Sequence, residues 1–482
     1  MNIEDFYCIQ NRRRFLQECA GGLGTIALWN LLALDGRAGH PVEGLPRVNP
    51  LEPKSPHFAA RAKNVIFLFM EGGPSQLDLF DPKPELQKWG GHALPESMTK
   101  NLDLAFIKPT AKIWPCPREF KRYGQCGTEL TDWTPHLATC VDDICMVRSM
   151  YTEQINHHPG QLMMNCGSAL VGRPSMGAWV SYGLGSESQS LPGFVVLSSG
   201  VGTSAGSGNW ATGFLPSVYQ GVPFRSTGDP VLYLSNPPGI SRQAQRARLS
   251  AIRDLNESHY RDSGDLEIAS RIASYELAFG MQAVAPELLD FSKESPSTLE
   301  MYGVNKELSR PFATNCLLAR RLVERGVRFV QLFHASWDDH SNLNKNLKKN
   351  CDITDQPTGA LLKDLMQRGL LDSTLVLWGG EFGRTPMVEN RKPDEQDSLG
   401  RDHHRLGFSM WMAGGGIKGG QVVGRTDDLG FTIVEDKIHV HDLHATILHC
   451  LGLDHKQLTY RYQGRDFRLT DVAGNVVSKL LA

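Results

Sequence analysis

Acidic and imidazole side chains crowd into four short runs of this chain. They are Glu71-Gly72-Gly73-Pro74-Ser75-Gln76-Leu77-Asp78, Trp337-Asp338-Asp339-His340, Gly379-Gly380-Glu381-Phe382-Gly383-Arg384-Thr385-Pro386 and Gly400-Arg401-Asp402-His403-His404. Most stand beside an apolar, strand-like run. Carboxylates and imidazoles are the ligands of one or two divalent cations, and open parallel sheets gather such groups at the carboxyl ends of their strands. The chemistry this suits is metal-assisted hydrolysis. Arg384 could clamp an oxyanion through two N–H groups or form a structural ion pair. The glycines at 72 and 73 fall where backbone must approach something closely. A second group, histidines 439, 441, 444, 449 and 455, reads mostly as surface or capping residues, because His444 and His449 fall on different sides of a helix. His441, just ahead of a predicted helix, is retained as an additional candidate.

The elements that must position these groups alternate. Asn64 to Met70 (NVIFLFM) is a nearly continuous apolar run, the pattern of a strand buried on both faces. Phe194 to Leu197 is a shorter strand. Pro311 to Arg325 reads as a helix with proline in its first turn and Gly326 as its stop. The strand Val327 to Phe333 leads into the Asp338 run. A helix from about Asp355 to Arg368 carries Leu361, Leu362, Leu365 and Met366 on one face. Strand Thr374 to Trp378 delivers Glu381, strand Phe408 to Ala413 follows His403, and Asp442 to Leu451 is a final helix. This alternation predicts an α/β fold with a mostly parallel, doubly wound sheet and helices on both faces. The stretch 199–303 is different, first rich in Gly and Ser, then helical and charged (Arg242 to Tyr260, Asp265 to Phe279). It reads as an insertion forming a helical lid over the site.

The 482 residues are 41% hydrophobic and 21% charged, with a formal net charge of -2. That is ample for a large core, and no basic stripe points to nucleic acid. Residues 1–40 read as a targeting segment: Asn11-Arg12-Arg13-Arg14-Phe15-Leu16-Gln17 resembles the twin-arginine export signal, and a mildly apolar stretch from Cys19 to about Leu34 follows. The expected location is the periplasm or cell envelope. Gly36-Arg37-Ala38 is a weak cleavage triplet, so an uncleaved anchor is the alternative; no other segment is apolar enough to span a bilayer. Residues 41–60 contain five prolines and read as a linker, leaving 61–482 as one domain. The ten cysteines include no C-x-x-C pair; they are read either as small buried residues or, in an exported protein, as partial disulfide partners.

Several runs together resemble a known family: GGPSQLDLFDPKP, INHHPGQLMMNCGS, GRPSMGAWVSYGLGS, WDDH, GEFGRTP, GRDHH, AGGGIKGGQVVG and GRDFRLTD are similar to those of the DUF1501 proteins. These bacterial proteins are related to the alkaline phosphatase and sulfatase superfamily. The resemblance implies an alkaline-phosphatase-like sheet and hydrolysis of phosphate or sulfate esters of a small molecule or glycan at one or two metals. Zn²⁺ or Mn²⁺ fits mixed imidazole and carboxylate ligands better than Ca²⁺. It implies Asp78 or Glu71 as the first ligand, with Asp78 preferred. Asp338 and His340 follow as an acid-histidine pair, then Glu381, then His403 with Asp402 to orient it or to bind metal. Phe382 stands where sulfatases carry a further ligand. The sulfatase nucleophile pattern, laid on residues 157 to 167, puts His157 in place of the cysteine and Gln161 in place of the arginine, which excludes a formylglycine mechanism there. His157, with His158 beside it as an additional candidate, would either attack directly or serve as ligand or base while water attacks. The rival reading is a non-catalytic metal- or glycan-binding protein on the same scaffold.

Overall fold

The structure, a computed structural model, describes residues 49–200, 202–225, 230–391 and 398–482. The expected export segment, and the part of the linker up to residue 48, lie outside the described residues. Residues 250–269 fall outside the larger unit formed by 49–249 and 270–482, and are helical except at Gly264 and Asp265.

In chain order the elements used below are Asn64–Met70 (β1), Gln76–Leu79 (α1), Ile144–Tyr151 (β2), His157–Cys166 (α2), Met176–Leu184 (α3), Phe194–Ser199 (β3), Val222–Pro223 (β4), Arg242–Ser263 (α4) and Leu266–Leu289 (α5). They continue with Arg310–Val323 (α6), Phe329–His334 (β5), Leu343–Gln367 (α7), Thr374–Gly379 (β6), Gly383–Glu389 (β7), Gly400–His404 (β8), Phe408–Ala413 (β9), Gln421–Val423 (β10), Ile438–His439 (β11) and Val440–Cys450 (α8).

A nine-stranded sheet runs in the order β10-β2-β9-β6-β1-β5-β3-β4, with β11 also paired to β2. β1 is central and parallel to both β5 and β6. β9 is antiparallel to both its neighbours, β2 and β6. Its direction has a local cause. The hairpin β7–β8 lies beyond the carboxyl end of β6, so β9, separated from β8 by only three residues, must run back through the sheet.

Every residue of β1 is buried, and its side chains divide by parity. Ile66, Leu68 and Met70 join the core beneath α6 and α7; Val65, Phe67 and Phe69 join the core beneath α3 and α8. A strand with period-two side chains and helices on both faces must be apolar throughout. Burying each such Phe or Leu contributes about 1.5–3 kcal/mol.

Three sequence expectations need adjustment. α7 begins at Leu343, not near Asp355, and passes through Pro357. Its buried stripe (Leu343, Leu347, Cys351, Leu361, Leu362, Leu365) continues at helical spacing across the proline, and that packing outweighs the lost backbone hydrogen bond. β2 went unrecognised because Arg148 and Ser149 interrupt its apolar run. The GRDHH run is itself a strand, β8, paired to β7 with His403 opposite Arg384.

The insertion divides by contact. Its early part reaches towards β1 and α2: Ser204 N–H donates to Glu71 Oε1 (2.8 Å) and Ala205 N–H to Gln161 Oε1 (3.0 Å). The end of α5 packs instead on α6, where Arg321 donates to the carbonyls of Glu287 and Asp290, 2.9 Å each. The eight cysteines of the described residues are free thiols, six of them buried. No helix among the described residues is long and apolar enough to cross a membrane.

Candidate metal centre

Four segments bring the site together at the carboxyl ends of the central strands. After β5 the chain passes Ser336, held at φ 101°, and turns through Asp338 to His340. The end of β1 lies directly against this turn: Trp337 N–H donates to Glu71 O (3.1 Å), and a Cβ on Gly72 would stand 2.4 Å from Asp338 N. Only glycine permits that approach, and at φ 116° it alone adopts the backbone without strain. Gly400 is equally confined, 2.1 Å from the His340 carbonyl carbon if given a Cβ, which seats β8 on the same turn. His157 supplies the fourth side chain from the first turn of α2.

The side chains of His157, Asp338, His340 and His403 converge, each with one ligand-type atom, all within 4.8 Å of one another. Asp338 Oδ1 is the focus. It lies 3.0 Å from His340 Nε2, 3.2 Å from His157 Nε2 and 3.3 Å from His403 Nε2. The Nε2 atoms of His340 and His403 are 2.9 Å apart.

The other ring nitrogens explain this geometry. His157 Nδ1 lies 2.6 Å from Glu381 Oε1, His340 Nδ1 2.5 Å from Glu389 Oε2, and His403 Nδ1 2.6 Å from the Ile155 carbonyl. An acceptor at each Nδ1 assigns the proton there and leaves the Nε2 lone pair aimed at the common point. Three lone pairs and a carboxylate oxygen so close repel one another unless positive charge lies between them. Protons can supply it. Burial lowers the His157 pKa, but hydrogen bonds to Asp338 and Glu381 outweigh it and raise the ring to about 9. Burial likewise opposes, and hydrogen bonds from the three imidazoles prevail, in holding the Asp338 carboxyl far below the usual carboxylate range. A divalent cation supplies that charge more directly, and the donor set fits one.

The surround is apolar on one side. Phe382 packs on His403 and His157, with ring centroids 4.5 and 5.0 Å away, and Phe106 lies edge-on to His403 at 5.6 Å. Phe382 is therefore a wall of the site and offers no ligand atom. On the other side Asp338, its side chain 44% exposed, opens to a cavity of about 500 Å³.

Other expected residues are placed differently. Asp78 is fully buried in a two-point ion pair with Arg401 (2.7 and 3.0 Å) and also accepts from Ser75 Oγ (2.5 Å). Both its oxygens are committed, which removes it from the ligand set. Glu381 faces the far side of His157, where its oxygens also accept Gly72 N–H at 3.1 and 3.2 Å; it orients a ligand and does not itself join the converging group. Asp402 accepts the backbone N–H groups of Phe106 (2.7 Å), Ile107 (2.9 Å) and His403 (2.8 Å). It lies with His340 and Glu389 in a second group of ligand-type atoms.

Arg384 has no exposure, and its guanidinium donates to Gly73 O (2.9 Å), Arg401 O (3.0 Å), Gly72 O and Asp338 Oδ1 (2.7 Å). It positions the β1 turn and Asp338, and has no donor pair left for a substrate oxyanion. Glu71 is buried, with Oε1 on Ser204 N and Oε2 without a partner, and burial raises its pKa. His158 is exposed. His441 bonds Gly167 O at 3.0 Å and lines a separate cleft with His439. His439 caps α8, as a capping residue should, whereas His444 is wholly buried and not a surface residue. Sequence reasoning missed Glu389 and the Ile155 carbonyl. A lone glutamate at a strand end and a backbone oxygen carry no sequence signal.

No curated protein shows significant sequence similarity to the chain. Solved structures similar to it include the alkaline phosphatase of the Antarctic bacterium TAB5, 11% identical, covering 77% of this chain and 95% of that one at a TM-score of 0.30. A sulfatase from Pseudoalteromonas sp. is 12% identical, covering 82% and 68% at a TM-score of 0.34. The lipoteichoic acid synthase LtaP of Listeria monocytogenes is 10% identical, covering 87% and 78% at a TM-score of 0.33. Residues 62–481 match the family described as "Protein of unknown function (DUF1501)", and the chain belongs to that family.

Proposed function

We propose that this protein is a metal-dependent hydrolase of phosphate or sulfate esters, with His157, Asp338, His340 and His403 holding one divalent cation. The observation that carries the reading is the set of three imidazoles, each anchored at Nδ1 and presenting Nε2 to one carboxylate oxygen. Three nitrogens and one oxygen suit Zn²⁺ first and Mn²⁺ second; Ca²⁺ takes an all-oxygen shell. A bound cation there supplies Lewis acidity towards an ester oxygen and lowers the pKa of a water. The protein's own groups do the rest. Glu381, Glu389 and the Ile155 carbonyl fix the ring orientations, Arg384 holds Asp338 in place, and the buried Phe382 keeps water from one side. The cavity beside Asp338 is large enough for the alcohol portion of a small-molecule or glycan ester.

Elemental analysis of purified protein tests the metal. One equivalent of zinc or manganese is expected, and less than a tenth in His403→Ala and His340→Ala. Hydrolysis of p-nitrophenyl phosphate or sulfate with added metal tests the activity. Metal without turnover across a broad ester panel would favour a non-catalytic binding protein, a reading helped by the absence of a free guanidinium in Arg384. Export to the periplasm or cell envelope by the twin-arginine route rests on Arg12-Arg13-Arg14 and their context. Replacing those arginines by lysine should leave the protein in the cytoplasmic fraction.

A further inference from the structure

The cavity beside Asp338 holds a second chemical arrangement. Ser199 and His334 are the last residues of the adjacent parallel strands β3 and β5, paired in register. Ser199 Oγ lies 2.9 Å from His334 Nδ1. Both line the cavity of about 500 Å³ that Asp338 also lines, together with Asn350 from α7 and the exposed Lys349 at its mouth.

Burial pushes the imidazole pKa down to about 4, so the ring is neutral at pH 7 and keeps a free lone pair, although its basicity is weakened. Phe312 and Trp337 flank the ring edge-on, at 5.2 and 6.2 Å, which holds its plane. The Asn350 amide donates through Nδ2 to the Ser336 carbonyl at 2.7 Å, leaving Oδ1 as the end free to face the ring. Asn350 favours the protonated ring, although no group meets strict hydrogen-bond geometry at His334 Nε2. A small shift that closes this contact places a proton on Nε2 and the lone pair on Nδ1, facing the serine hydroxyl. Nucleophile, base and orienting amide then stand in the order required for an activated serine. A purely structural serine-histidine contact between strand ends has no need to face a cavity.

From this arrangement we infer that Ser199 is a nucleophile, with His334 as its general base and Asn350 as the residue that positions the ring. The substrate class is an ester with an electrophilic phosphoryl centre, its anionic oxygens facing Lys349. Ser199 Oγ bonds to phosphorus while the phosphorus–alkoxide bond breaks. The serine proton passes to His334 Nδ1 and on to the departing alkoxide, giving the alcohol. Water then cleaves the seryl phosphoester, its proton taken by the same nitrogen, and serine is restored. The natural substrate assigned here rests on the ester-hydrolase reading, whereas the reactivity of the serine does not.

The full chain, freed of metal with chelator, is treated with a fluorophosphonate. The Ser199 oxygen–phosphorus bond replaces phosphorus–fluorine, and fluoride leaves. Mass spectrometry should find one adduct per chain, on Ser199, and none in Ser199→Ala, a one-atom deletion whose cooperative thermal melting is checked alongside. Labelling should slow at least ~100-fold in His334→Gln and ~10-fold in Asn350→Ala. It should be nearly independent of pH above about 5 in the native protein. Absence of an adduct at Ser199 in folded protein overturns the inference, as does labelling unchanged in His334→Gln. Full ester turnover by Ser199→Ala with metal bound also overturns it while leaving the metal reading intact. Labelled Ser199 in a protein that binds no metal supports the nucleophile and removes the metal reading.

Discussion

At the scale of the residue, the candidate site is defined by what each imidazole does with its second nitrogen. A histidine that merely neighbours a carboxylate has no need of an acceptor on both sides. Here each of the three has an acceptor at Nδ1, which is how metal-binding histidines are held in one orientation. Ligands and orienting residues should therefore fail differently. His403→Ala removes a donor and is expected to abolish stoichiometric metal. Glu381→Gln keeps all four donors and should still bind one equivalent, with affinity reduced roughly 10–100-fold, as read by competition against a chromogenic chelator. Equal loss in both variants would mean that Glu381 ligates directly. Of these residues, Asp338, His340 and His403 were visible in the sequence as acid and histidine beside strands. Glu381 was visible too, but its role was not, because sequence does not say which side of His157 its carboxylate occupies.

At the scale of the element, the site depends on close approaches between segments distant in sequence. The β1 turn rests on the 337–338 backbone through Gly72, and Arg384 ties the carbonyls of Gly72 and Gly73 to Asp338. Gly72→Ala should lower both thermal stability and metal affinity, because a Cβ 2.4 Å from Asp338 N forces the turn away. The Asp78–Arg401 pair belongs to the same level. It joins α1 to β8 with neither side chain exposed. Asp78→Ala leaves a buried guanidinium uncompensated and should destabilise the fold by about 3–5 kcal/mol in chemical denaturation. The folded fraction should keep its full metal content, and loss of metal without loss of stability would return Asp78 to the ligand set.

At the scale of the whole molecule, the two helix layers enclose a sheet whose central strands contact solvent on neither face, and ionisable groups trapped there make stability depend on pH. His444, wholly buried in α8, is pushed down to about 3 by burial and by nearby His441. In the unfolded chain the ring takes its proton near pH 6.5. Below that pH the unfolded state binds the extra proton and the native state does not. Stability is therefore complete above about 6.5 and falls as pH drops towards 3, by up to about 1.4 kcal/mol per pH unit from this ring. The fall in melting temperature between pH 7 and pH 5 should be shallower in His444→Met than in the native protein. An unchanged slope would show that other groups carry the acid sensitivity.

The sequence by itself determined the class of fold and most of the central strands, because a strand covered on both faces must be apolar at every position and NVIFLFM can be little else. It also marked, by their clustered acids and histidines, the runs that carry Asp338, His340, Glu381 and His403. It did not determine where the side chains point. Asp78 and Asp338 look alike as acids near strand ends, yet Arg401, from more than three hundred residues away, neutralises Asp78, whereas three imidazoles surround Asp338. Nor did it reveal β2, Glu389 or the pairing of Ser199 with His334. Each of these is decided by contacts between segments far apart along the chain, and local residue types and spacing carry no record of them.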